Sequence, residues 1–125
     1  MSSNQADLKR RRVAVYRRSA TVEPSAELSL QKQVVACVET CNAMFGPDNY
    51  WLTDICDAGM SGLGPGSLRQ IKQADRAGLR RLIEMLEKQE IDHVVIIRAD
   101  RLTRSCTFWM DFTSKYGERL IVVES

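Results

Sequence analysis

Short apolar runs rich in β-branched residues alternate along this chain with apolar stripes at helical spacing. That alternation limits the available folds more than any other feature. "HVVIIR" at residues 93–98 is the clearest buried strand, with "RVAVYR" (12–17), "YWLTDIC" (50–56) and "RLIVVE" (119–124) as three more. Leu30, Val34, Val38, Cys41 and Phe45 recur at helical spacing behind Ser29, a residue type that caps helices. Leu79, Leu82, Ile83 and Leu86 mark a second helix from about Ala77, and Phe108 and Phe112 share a face of a third that runs to Tyr116. "TVEPSAE" (21–27) reads as a loop and "GPDN" (46–49) ends the first helix. "DAGMSGLGPGS" (57–67), with four glycines and a proline, excludes regular structure and predicts a mobile segment. The order predicts an α/β, three-layer sandwich with a central, largely parallel β-sheet flanked by helices.

The 125 residues suffice for one domain with a real core. The predicted division is a flexible basic tail at 1–11 and a single domain at 12–125. The tail's Lys9 to Arg12 could touch a nucleic-acid backbone, but a solvated basic flank explains them as well. The tail lacks the apolar core of a secretory signal, and no apolar run is long enough to span a bilayer. Eighteen Lys and Arg against sixteen Asp and Glu leave a net charge of +2, so bulk charge does not announce a nucleic-acid binder. Any such case rests on where the arginines sit. Cys37, Cys41, Cys56 and Cys106 read as small buried thiols, because a zinc site needs more ligands than the single histidine, His93, can add. His93 is placed at a strand start without a catalytic role.

In open parallel sheets, ligands sit beyond the carboxyl ends of the strands. Two arginine-bearing segments, "YRRSA" and "IIRADRLTR", lie there and converge on one place. Arginine keeps its charge and offers a planar fork of donors, so several forks suit a phosphoryl group whose oxygens gain charge in the transition state. Arg17 and Arg18 are adjacent and point to opposite faces of a strand, so only one reaches the site. Arg101 and Arg104 share a face if a helix begins there. No metal-ligand box and no glycine-rich loop followed by lysine is present, so no cofactor is expected. The arginines and a nearby hydroxyl suggest phosphoryl transfer to a serine.

Five motifs in order then resemble the catalytic domain of serine site-specific recombinases, the resolvase/invertase family, and most closely the large serine recombinases or integrases. They are "YRRSA"; Ser29, Leu30 and Gln33; Asp57, Gly59, Ser61 and Gly62; Asp75, Arg76, Gly78 and Leu79; and Asp100 to Arg104. The resemblance covers roughly residues 12–124. It implies DNA cleavage and rejoining through a 5′-phosphoserine intermediate, without metal or nucleotide. It also implies double-stranded DNA as partner, a dimer on each site and a tetramer in the synapse of the full-length protein. The setting it implies is the cytoplasm of a bacterium, or of the host of a phage or mobile element, with no membrane association. Arg18, Arg76, Arg101 and Arg104 would bind the scissile phosphate. Arg98 stands where the family often has lysine. Asp100 would orient the arginines or move a proton, and Gln33 and Tyr16 would shape the site. A C-terminal interface helix and DNA-binding domains are expected to be missing from 12–125, which predicts weak DNA binding without sequence choice.

The attacking atom is the open point. Matching Tyr16 and Arg18 to the family puts Ala20 at the nucleophile position, and strand alternation puts Tyr16, Arg18 and Ala20 on one face with Ser19 on the other. A register slip of one residue, or a bulge at the strand end, would make Ser19 the nucleophile instead. Ser61 and Ser105 lie near the site with nothing to position them as attackers. With Ala20 in place the copy lacks its nucleophile. The alternative function is then a non-catalytic recombinase-like module for assembly or DNA binding.

Overall fold

The computed structural model describes residues 10–124. Residues 1–9 of the predicted tail lie outside the described residues. Strand β1 (Arg11–Arg18) is followed by helix α1 (Pro24–Phe45), strand β2 (Tyr50–Asp57), a 3-10 turn (Leu68–Gln73) and helix α2 (Ala77–Glu87). Strand β3 (His93–Ile96), the short helix α3 (Ala99–Leu102), helix α4 (Cys106–Tyr116), a second 3-10 turn (Gly117–Arg119) and strand β4 (Leu120–Val122) complete the order. The four strands form one sheet in the order β2-β1-β3-β4, and every pairing is parallel.

A parallel sheet is covered on both faces, so its strands read as continuous apolar runs. β1 shows how the alternation divides the core. Val13 and Val15 face α1 with Cys37, Cys41 and Val95. Ala14 and Tyr16 face the other way, with Ile55, Leu79, Leu82, Phe108 and Phe112 from β2, α2 and α4. The result is the three-layer α/β sandwich expected from the sequence.

The α2 spacing holds, with Leu79, Leu82, Ile83 and Leu86 buried. On α4, Phe108, Phe112 and Tyr116 stack in a row, with ring centroids 6.2 and 5.3 Å apart. Helix α1 starts five residues before Ser29, because Pro24 occupies its first turn, where the missing N–H has no intrahelical partner to lose. The two 3-10 turns and α3 are too short to carry a periodic signal. Of the four cysteines only Cys37 and Cys41 are buried; Cys56 and Cys106 are exposed, which corrects the expectation for that pair. Among the described residues no helix is long and apolar enough to cross a membrane. Also among them, no cluster of three or more His, Cys, Asp or Glu side chains could hold a metal ion.

Candidate active site

The carboxyl ends of β1, β2 and β3 bring three groups of residues together. The first is the end of β1. The Arg18 side chain turns inward and is 2% exposed. Its guanidinium donates to three main-chain carbonyls: Nε to Arg101 at 3.1 Å, Nη1 to Met60 at 2.8 Å, and Nη2 to Asp100. Burial lowers its pKa, and the neighbouring Arg76 and Arg101 charges lower it further. The Gln33 amide closes on the Arg18 backbone, accepting from its N–H at 3.3 Å and donating to its carbonyl at 3.0 Å. That pair of bonds ties α1 to the last residue of β1. Arg17 points to the opposite face and forms a bidentate pair with Asp54 at 3.0 and 2.7 Å, away from the site.

Ser19 and Ala20 have opposite surroundings. Ser19 is 3% exposed. Its hydroxyl donates to the Thr21 carbonyl at 2.7 Å and accepts from the Gly59 N–H at 3.3 Å. Its backbone continues the β1–β2 ladder, with its N–H on the Asp57 carbonyl at 3.2 Å. Ala20 is exposed.

The second group is centred on Asp57, at the end of β2 and 4% exposed. Its carboxylate accepts from the Gly78 N–H at 2.7 Å, the Leu79 N–H at 2.9 Å and the Tyr16 hydroxyl at 2.6 Å. It therefore caps α2 from outside the helix, where the first N–H groups have no intrahelical acceptor. Arg76, 3% exposed, lies alongside with its Nε 3.8 Å from Asp57 Oδ2. The Arg76 guanidinium donates to Tyr16 Oη at 2.6 Å, to the Gly64 carbonyl at 3.1 Å and to the Leu102 carbonyl, and it lies 5.6 Å from the centre of the Tyr16 ring. Burial raises the Tyr16 pKa, against the pull of Arg76. A Cβ added to Gly78 would meet Asp57 Oδ1 at 2.7 Å, so the carboxylate occupies the space that a side chain would need.

The third group is the turn after β3, and it is open. Asp100 Oδ1 sits between Arg98 Nε at 3.4 Å and Arg101 Nε at 3.5 Å. Partial burial raises the Asp100 pKa, but Arg101 and Arg98 outweigh it and hold the group below the usual carboxylate value. Arg101 Nη1 reaches the Arg18 carbonyl at 3.4 Å. Arg104 is exposed, and its guanidinium makes no hydrogen bond or ion pair among the described residues. Arg98 is half exposed at the edge of the group.

The glycine-rich segment, expected to be mobile, is tied across this mouth. Its Met60, Gly62, Gly64 and Gly66 carbonyls accept from Arg18, from the Arg104 N–H, from Arg76 and from the Ser105 hydroxyl in turn. The Ser61 hydroxyl accepts from the Leu63 N–H within the same segment. Ser105 caps α4, accepting from the Phe108 N–H at 3.2 Å. Sequence reading placed Asp57 in a motif without a role; an acid closing a strand two residues before a glycine was the available signal. Gly62 and Gly78 act by lacking a Cβ, which spacing alone does not reveal.

The sequence has no significant match among curated proteins. Solved structures give the fold. The chain is similar to the N-terminal catalytic domain of TP901-1 integrase, with a TM-score of 0.70 and 24% identity over 90% of this chain and 77% of that one. It is similar to the C-terminal catalytic domain of ISC1926 TnpA, an IS607-like serine recombinase, with a TM-score of 0.68 and 22% identity over 91% of this chain and 70% of that one. A serine recombinase from Sulfolobus solfataricus gives 0.64 and 23% over 93% and 71%. The family model described as the resolvase N-terminal domain matches residues 13–125. With nearly the whole chain matched, the chain belongs to the resolvase N-terminal domain family, the catalytic domains of serine recombinases.

Proposed function

We propose that this domain holds a DNA phosphodiester at the open turn and that position 20 is where its family's chemistry would start. Arg101 and Arg104, with Arg98 at the edge, meet the phosphate. Arg18 and Arg76 complete the set, Asp100 aims the arginines, and Tyr16 and Gln33 fix the frame. A serine at position 20 would attack phosphorus: its hydroxyl gives up a proton as the Oγ–P bond forms, the bond from phosphorus to the 3′ oxygen breaks, and the leaving oxygen takes up a proton as the 3′-hydroxyl, so no net proton is consumed. The bond energy stays in the phosphoserine, so rejoining is the same step reversed. The arginine forks would stabilise the charge that grows on the non-bridging oxygens.

As it stands the chain lacks that oxygen. The observation that carries this reading is the contrast at the end of β1: the Ser19 hydroxyl is buried and engaged at both donor and acceptor, whereas Ala20 is exposed. A non-catalytic member that binds DNA and pairs with other subunits is the second reading, and the same alanine supports it. A dimer on each site and a tetramer in the synapse belong to the family reading of the full-length protein.

The test uses the full-length protein as written and as Ala20→Ser, on a duplex carrying its attachment site, run on a denaturing gel. A covalent protein–DNA band from Ala20→Ser alone assigns position 20 as the nucleophile. A band from the chain as written, abolished by Ser19→Ala, moves the nucleophile to Ser19. No band from either, with site binding confirmed, leaves the non-catalytic module.

A further inference from the structure

Arg18 and Arg76 are the most buried cations of the site, and both have donors on carbonyls of the glycine-rich segment. Arg18 Nη1 is on Met60 and Arg76 Nη1 is on Gly64. Between these two anchors Gly62 lies on the guanidinium itself: a Cβ there would be 2.8 Å from Arg18 Nη2 and 3.0 Å from Arg104 Cγ. The Gly62 carbonyl accepts from the Arg104 N–H at 2.7 Å, and the Met60 N–H donates to the Ser19 carbonyl at 2.9 Å. Residues 60–66 thus cross the site and take up arginine donors as they go.

We propose that residues 58–66 are a strap that holds the site closed, and that a phosphodiester engages Arg18 and Arg76 only when the strap lifts. The inference rests on the reading of this site as a phosphodiester site. Its chemistry is an exchange of acceptors. A carbonyl is a neutral acceptor, whereas a phosphodiester oxygen carries charge, and charge-assisted bonds are roughly twice as strong as neutral ones. The strap is also held at its centre mainly by polar contacts. Leu63 points outward at 70% exposed, and the apolar side chains that the strap covers are the half-buried Met60 and the buried Pro65. Arg18, Arg76 and Arg101 are gathered with only two carboxylates against them, Asp57 beside Arg76 and Asp100 beside Arg101, so the closed state keeps cations in excess. An anion would relieve that repulsion.

The test starts on the free chain. Arginines are labelled with phenylglyoxal and mapped by peptide mass, and hydrogen exchange is followed over residues 58–66. Arg104 should label readily, and Arg18 and Arg76 at least about tenfold more slowly. Gly62→Ala, which places a Cβ against Arg18, should speed both Arg18 labelling and Met60 amide exchange while the amides of α2 and β3 stay protected. Gln70→Ala, which removes the exposed tether to the Gly66 N–H, should act in the same direction, more weakly, and serves if Gly62→Ala does not fold. Arg18 labelling as fast as Arg104 in the free chain overturns the strap. So does an Arg18 that stays unlabelled when the strap amides exchange freely.

A short duplex of arbitrary sequence supplies the second arm. Binding that speeds exchange at Met60 and Gly66 supports the strap. Binding that Arg104→Gln weakens, with exchange over 58–66 unchanged, overturns the strap and keeps the phosphodiester reading. Binding untouched by Arg104→Gln overturns that reading instead, and the labelling rates alone then decide whether the strap exists.

Discussion

Arg76 and Arg104 both reach the carboxyl end of the sheet, and their surroundings differ in nearly every respect. Arg76 is 3% exposed, beside a buried carboxylate, with its donors on a tyrosine and two main-chain carbonyls. Arg104 is exposed and its guanidinium is unengaged among the described residues. The same chemical group serves as framework in one place and as an available ligand in the other. What separates them is the supply of main-chain carbonyls, not the sequence motif around each. An arginine with most of its donors engaged contributes to folding first. Its part in chemistry depends on an exchange of partners.

The sharpest way to break this comparison is to truncate both. Arg76→Ala leaves Asp57 buried without its cation and should cost about 3–5 kcal/mol in urea unfolding. Arg104→Ala should stay within about 0.5 kcal/mol of the parent, because it removes no engaged group. On a duplex, Arg104→Ala should lower the slope of log affinity against log salt by about 1, the signature of a lost phosphate contact. Equal stability losses at the two positions would erase the distinction. Next in size is Ser19→Ala, which removes a buried hydroxyl bonded at both ends. It should cost about 1–3 kcal/mol by thermal or urea unfolding while leaving any adduct formed by Ala20→Ser unchanged. The smallest effect concerns Asp100. Its folded pKa lies below the ordinary value, so its contribution to stability is present above 3.8 and is lost as pH falls through the folded midpoint. Carbon-detected NMR titration should place that midpoint below 3.8, and Arg98→Gln should move it upward.

The sheet, α2 and α4 were legible because burial on one or both faces writes a period into the sequence. Leu79, Leu82, Ile83 and Leu86 could belong to little else. The start of α1 was misread because proline both breaks helices and begins them, and Pro24 does the second. The division of the arginines was not legible. Arg18 ends a strand, Arg104 lies beyond one, and each belongs to a motif, but the carbonyls that bury Arg18 lie 42 to 83 residues away along the chain. The Asp57 cap is likewise made by N–H groups 21 and 22 residues on. The glycine-rich segment was read from composition as loose, but composition does not reveal that its carbonyls meet a row of donors.

The Asp57 carboxylate joins the end of a strand, the first turn of a helix, a tyrosine hydroxyl and an arginine in one buried knot. A lineage that lost the ability to cut DNA would still have to fold, and folding alone would penalise changes at Tyr16, Asp57, Arg76 and Gly78. Survival of these residues in any relative is therefore no record of surviving catalysis. The record is kept at the exposed positions, 20 and 104, where drift would leave the fold undisturbed.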